Sequence, residues 1–126
     1  MSSNLIAFDE ALHLPFYDPE PVDQLRSLLG DEMVVDLVAE YESSGVETLA
    51  RLDQAIAAGD ATSAQREVHS LKSASASLGL TRLSRLCFAL ESDCRAGNLD
   101  LVRRKRDVIG ENYQEACKFL QKLKAS

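Results

Sequence analysis

Tryptophan is absent, and three tyrosines with four phenylalanines make aromatics only 6% of the chain. Six glycines and three prolines are few for 126 residues. A β-sandwich or barrel needs aromatic and β-branched strands with frequent turns, so this scarcity argues against one and favours helices. No apolar run approaches the roughly 20 residues that a membrane helix requires, so no membrane association is expected. The N-terminal MSSNLIAFDE lacks the basic start of a signal peptide. The cysteines Cys87, Cys94 and Cys117 are odd in number and no two have C-x₂-C spacing. That argues against disulfides and a zinc site, and fits reduced core thiols in a cytoplasmic protein.

What is present is acid, unevenly placed. Against 14 basic residues stand 20 acidic ones, a net charge of −6. A chain this acidic is a poor general binder of nucleic acid. Residues 1–63 hold only Arg26 and Arg51 as cations and carry −11, whereas residues 64–126 carry +5. A site for an anion therefore belongs to the second half. Within it, Arg103-Arg104-Lys105-Arg106 spreads around a helix and makes no single stripe, so it reads as solvated surface, open to pairing with the acidic stretch 31–58.

Apolar residues recur at helical spacing in four long stretches: 31–58, 60–78, 81–96 and 99–124. Gly59, Gly79 and Gly97 separate them, each followed by a helix-opening oxygen at Asp60, Thr81, and Asn98 or Asp100. Ser43-Ser44-Gly45 weakens the middle of the first stretch and is a place for a kink. The short turns predict an all-α, antiparallel up-down-up-down four-helix bundle preceded by a short N-terminal helix. The bundle domain is read as 22–126. Residues 1–21, with Pro15, Pro19 and Pro21, form an arm or lid pinned through Phe16 and Tyr17. A short helix is expected near Asn4–Leu12, and another beginning near Pro21 with Leu25, Leu28 and Leu29.

One residue breaks the second stretch's pattern. At about 100° per residue, Ala64, Val68, Leu71, Ser75 and Leu78 centre on one face and His69 points almost directly away from it. Ser73 and Ala76 beside it are small, so another protein's surface can reach the imidazole tip. Lys72 and Arg66 lie to either side, whereas Glu67, the nearest acid in sequence, points elsewhere. An exposed imidazole in a cationic rim suits a doubly charged phosphoryl group. It suits a metal poorly, since i±3 and i±4 hold Gln65, Arg66, Lys72 and Ser73 and supply no second ligand. His13, in the irregular arm, reads as incidental.

The run His69-Ser70-Leu71-Lys72-Ser73-Ala74-Ser75-Ala76-Ser77-Leu78-Gly79-Leu80 resembles the phosphoacceptor signature of histidine phosphotransfer (HPt) domains of bacterial two-component phosphorelays. The flanks Ala57-Ala58-Gly59-Asp60, Ala89-Leu90-Glu91 and Ala96-Gly97-Asn98 are similar too, and the likeness spans roughly residues 22–100. Two positions depart from it: Ser73 stands where the family usually has Gly, and Leu80 where it often has Ala. The resemblance implies that His69 accepts the phosphoryl group and Lys72 stabilises its charge. It implies that Ser73 and Ala76 let a receiver domain approach and that Gly79 is structural; Gln65 and Arg66 are expected beside them on the receiver-docking face.

A largely neutral imidazole is a nucleophile without an attached base, and phosphoryl transfer is mostly positioning and charge stabilisation. The resemblance implies no cofactor of the chain's own, with Mg²⁺ on the partner receiver. There is no Gly-rich phosphate loop for ATP. Ser70 follows His69 where histidine-kinase dimerisation helices carry an acid, which argues against autokinase and phosphatase activity. The expectation is thus a monomeric phosphocarrier rather than an enzyme. It would take phosphate from a hybrid sensor kinase's receiver and pass it to a response regulator. The alternatives are an HPt-like module that sequesters a receiver without being phosphorylated, and a dimeric kinase or phosphatase helical domain.

Overall fold

The computed structural model describes residues 7–125, and side chains through residue 123. Among the described residues six helices follow one another: α1 (Phe8–Ala11), α2 (Glu20–Leu29), α3 (Asp31–Ala57), α4 (Ala61–Ser77), α5 (Thr81–Arg95) and α6 (Leu99–Ala125). No strand occurs among the described residues. Two short helices thus precede the bundle, α1 within the stretch expected near Asn4–Leu12 and α2 where the helix beginning near Pro21 was expected. Of the region expected to be helical near Asn4–Leu12, residues 4–6 lie outside the described residues. Pro21 occupies the first turn of α2, where its missing N–H costs nothing.

The four long helices pack in chain order, and α3 closes against α6. Their apolar stripes meet in one core, from Val34, Leu52, Val68 and Leu71 to Leu83, Leu90, Ile109 and Leu120. Each of the three turns is three residues long and carries its glycine at positive φ. The Asp60 side chain caps α4 by accepting from the backbone N–H of Ser63, and Asn98 Oδ1 accepts from Leu101 N at 3.4 Å. Thr81 does not cap α5. Its hydroxyl donates to the Gly79 carbonyl, and the cap position is Leu80, without a side-chain bond.

Gly79 serves two purposes. Its φ of 77° is one that side-chain-bearing residues avoid. Its carbonyl also accepts from Asp18 N at 2.7 Å, and a Cβ at this position would collide with the Asp18 carbonyl. The N-terminal arm is therefore fastened to the turn after α4. Arg82 adds a bond to the Leu14 carbonyl at 2.9 Å, and Phe16 and Tyr17 pack on Phe119.

One expectation, the kink in the first long helix, needs correction. The helix α3 runs unbroken through Ser43-Ser44-Gly45. Gly45 is buried because the Tyr113 ring of α6 lies where its Cβ would be, and the Tyr113 hydroxyl donates to the Tyr41 and Glu42 carbonyls. In α2, Val22 is the buried residue, while Leu28 is 80% and Leu29 55% exposed. The helix ends at Gly30, so those two leucines extend past the core. The basic run pairs individually, Arg106 with Asp53 of α3, Lys105 with Asp93 of α5 and Arg103 with Asp100.

Candidate functional site

The helix α4 holds its inner face by Ala64, Val68, Leu71 and Ser75. The buried Ser75 hydroxyl is 2.8 Å from Tyr41 Oη, which ties α4 to α3. With that face fixed, the opposite face presents His69, whose side chain is 57% exposed. Ser73 and Ala76 are also exposed, as the angular reading expected.

The surroundings of His69 differ from a bare cationic rim. Glu91, from α5, reaches across with its side chain only 6% exposed. Its Oε2 lies 3.0 Å from His69 Nδ1, and its Oε1 accepts from Lys72 Nζ at 2.6 Å. Arg95, one turn along α5, donates to Oε2 at 3.4 Å. Lys72 was expected to have no acid to neutralise it. Instead it is ion-paired, and its ammonium also lies 5.3 Å from the Phe88 ring centroid. The imidazole itself has a partner, since Nδ1 faces the Glu91 carboxylate. Nε2 is left as the free ring nitrogen.

Burial alone would push the Glu91 carboxyl up. The hydrogen bonds from Lys72 and His69, and their charges, outweigh burial and hold it below the usual glutamate range. Glu91 is therefore a fixed negative charge at neutral pH. A carboxylate that accepts from a ring nitrogen fixes the imidazole's orientation and tautomer, with the proton on Nδ1 and the lone pair on Nε2.

An open hollow of about 360 Å³ surrounds the site, lined by Thr62, Gln65, Arg66, His69 and Glu91. Gln65 and Arg66 are thus brought to His69. Ala76 is not in that hollow. It lines a separate cleft of about 200 Å³ with Asp18, Pro21, Gly79, Thr81, Ser84 and Arg85. Glu67 turns to Arg51 of α3, at 3.0 Å. His13 is exposed in the arm. The three cysteines are free, and burial raises the Cys94 thiol to about 11, with Asp93 and Glu91 adding to the rise. Among the described residues no group of three His, Cys, Asp or Glu side chains is placed to hold a metal ion. No helix of the described residues is long and apolar enough to cross a membrane.

Glu91 is the site residue that sequence reading did not assign. Its signal was a carboxylate at i+4 from Cys87 and i−3 from Cys94, against the apolar stripe of α5. An acid so placed calls for a partner on the neighbouring helix.

The family profile described as "Hpt domain" matches residues 36–123. Among solved structures, the chain is similar to histidine-containing phosphotransfer protein B from Pseudomonas aeruginosa PAO1. The two share 24% identity, with a TM-score of 0.82 over 88% of this chain and 96% of that one. At that identity the likeness shows a shared fold. No curated protein matches the chain.

Proposed function

The chain belongs to the Hpt domain family, and from that premise we propose that His69 is the phosphoacceptor of a phosphorelay. It takes the group from a receiver-domain aspartyl phosphate of a hybrid sensor kinase and passes it to the receiver of a response regulator. The observation that carries this reading is the exposed His69 imidazole whose Nδ1 is held by a buried carboxylate, which leaves Nε2 as the free ring nitrogen.

In this reading the Nε2 lone pair attacks phosphorus in line with the leaving aspartate oxygen. The N–P bond forms as the P–O bond breaks, and the electron pair leaves on the donor carboxylate. The ring becomes positive, with its Nδ1 proton facing Glu91. Lys72 lies beside the acceptor and supplies positive charge to the phosphoryl oxygens. Gln65, Arg66, Ser73 and Ala76 meet the receiver, and Ser73 in place of the usual Gly narrows that approach by one hydroxymethyl group. Any Mg²⁺ belongs to the receiver. The chain itself acts as a carrier, without autokinase or phosphatase activity.

Incubation with a panel of phosphorylated receivers tests the reading. The expected product is acid-labile and alkali-stable, as a phosphoramidate is, and His69→Gln takes up none. That variant should stay within about 1 kcal/mol of the parent in stability, since the replaced side chain is mostly in solvent. Alkali-labile label, or label retained in His69→Gln, would refute it. Receiver binding without label in the parent would favour the sequestering module instead.

A further inference from the structure

The buried Glu91 carboxylate has three partners, and the reading above gives work to two. His69 Nδ1 and Arg95 Nη2 share Oε2, at 3.0 and 3.4 Å, and Lys72 Nζ alone holds Oε1, at 2.6 Å. A phosphoryl group on Nε2 brings a second, stronger claim on the Lys72 ammonium. If the ammonium turns outward, Oε1 of a carboxylate 6% exposed loses its only partner among the described residues. An unpaired buried carboxylate oxygen is costly, so the site needs a replacement cation.

Arg95 is placed to be that cation. It sits four residues after Glu91 on α5, and its side chain is 61% exposed. Among the described residues its side chain has no other ion pair or hydrogen bond. Its 3.4 Å approach is loose, so it has room to tighten. A planar guanidinium can span both oxygens of a carboxylate, which an ammonium cannot.

Resting on the reading of His69 as phosphoacceptor, we propose that Arg95 is a positioning residue for the transfer: it closes onto Glu91 when Lys72 turns to the phosphoryl group on His69. The group never touches phosphate. It acts by keeping Glu91 paired, so that Lys72 is free to move while Nδ1 stays held.

Phosphoramidate, a small phosphoryl donor, tests this without a receiver. The His69 Nε2 lone pair attacks phosphorus, the P–N bond breaks and ammonia leaves with the electron pair. The rate of loading at His69 is measured in the parent, Arg95→Gln and Arg95→Lys, and again with Arg95→Gln in a Glu91→Gln background. Expected is a loss of roughly three- to tenfold in Arg95→Gln, about 0.6–1.4 kcal/mol in the barrier. Arg95→Lys should recover part of it. Without the Glu91 charge, Arg95→Gln should have no effect. Glu91→Met provides a second background without the carboxylate if Glu91→Gln fails to fold.

Loading of Arg95→Gln at the parent rate overturns the proposal. So does an equal loss in both backgrounds, which would make Arg95 a plain attractor of the incoming anion. Neither result touches the role of His69. Absence of label at His69 in the parent would instead overturn the reading on which the proposal rests, and the proposal with it.

Discussion

Lys72 Nζ lies 2.6 Å from Glu91 Oε1, and the two residues come from facing helices, 19 positions apart in the chain. This pair makes Lys72 a structural as well as a functional cation. Its side chain is 22% exposed and that of Glu91 only 6%, so solvent replaces the contact poorly. The same carboxylate orients His69, so charge, orientation and stability at this site are coupled.

Lys72→Ala should therefore cost stability, whereas a solvated helix lysine would cost almost nothing. Removing one partner of a mostly buried pair leaves the other partly unsatisfied. His69 and Arg95 remain on Glu91, so the expected loss is about 1–3 kcal/mol. Transfer should slow roughly 5- to 150-fold, from 1–3 kcal/mol of lost charge stabilisation. Lys72→Arg should retain much of both. Denaturant unfolding and transfer kinetics, at two salt concentrations, check it. A variant as stable and as fast as the parent would show that the ion pair contributes nothing.

Gly79→Val should destabilise the fold far more than Ser73→Gly. At Gly79 the valine meets a φ of 77° and the Asp18 carbonyl at once. The expected cost exceeds about 2 kcal/mol, with part of it expressed as release of the N-terminal arm. Ser73 is exposed on α4, and its change to Gly costs at most about 1 kcal/mol of helix propensity. Thermal melts compare the two, and limited proteolysis near residues 14–18 reports on the arm. Equal melting temperatures would contradict the close approach of arm and turn.

The helices and their turns were legible because periodicity and punctuation are local. Leu71, Ser75 and Leu78 mark the inner face of α4 from spacing alone, and Gly59, Gly79 and Gly97 sit in the turns between the long helices. The same angular reading placed His69 outward. It could not see Glu91, because the wheel of one helix carries no information about the acid that the next helix brings to it. The distance is 22 residues in sequence and one hydrogen bond in space. Leu28 and Leu29 follow Leu25 at helical spacing, but α2 is short and ends at Gly30 before the core reaches them. Gly45 looked like a weakness in α3 and is instead the seat of a tyrosine from α6.

Gly45→Ala should destabilise, against the usual sign. In an exposed helix, Gly→Ala stabilises by about 1 kcal/mol through propensity. Here the new methyl falls on the Tyr113 ring, whose hydroxyl is fixed by two α3 carbonyls, so the ring cannot simply turn away. The expected net loss is about 1–3 kcal/mol from overpacking. Gly110→Ala is the contrast. Its Cβ meets mainly the tip of the Arg106 side chain, which can shift, so a gain of about 0.5–1 kcal/mol is expected. Melting curves of both variants decide the matter. A stabilised Gly45→Ala would mean that α3 and α6 lie further apart at this level.

The last prediction concerns pH. Burial works to raise the Glu91 carboxyl, but the hydrogen bonds and charges of Lys72 and His69 leave it below its ordinary value. A carboxylate whose folded value is depressed binds fewer protons folded than unfolded. Its stabilising contribution is then complete above the unfolded glutamate value, about 4.3, and is lost as pH falls through the lower folded value. Other carboxylates titrate in the same range, Asp60 among them, held low by its Ser63 hydrogen bonds. The parent alone therefore cannot isolate Glu91. Its difference from Glu91→Gln can, because glutamine keeps the shape and an acceptor oxygen but does not titrate. The stability of the parent relative to Glu91→Gln should hold level above about pH 5 and decline below about 4.3. Urea midpoints across that range measure it. A difference that stays flat through acid, or widens in favour of the parent, would mean that the carboxylate gains nothing from Lys72 and His69 on folding.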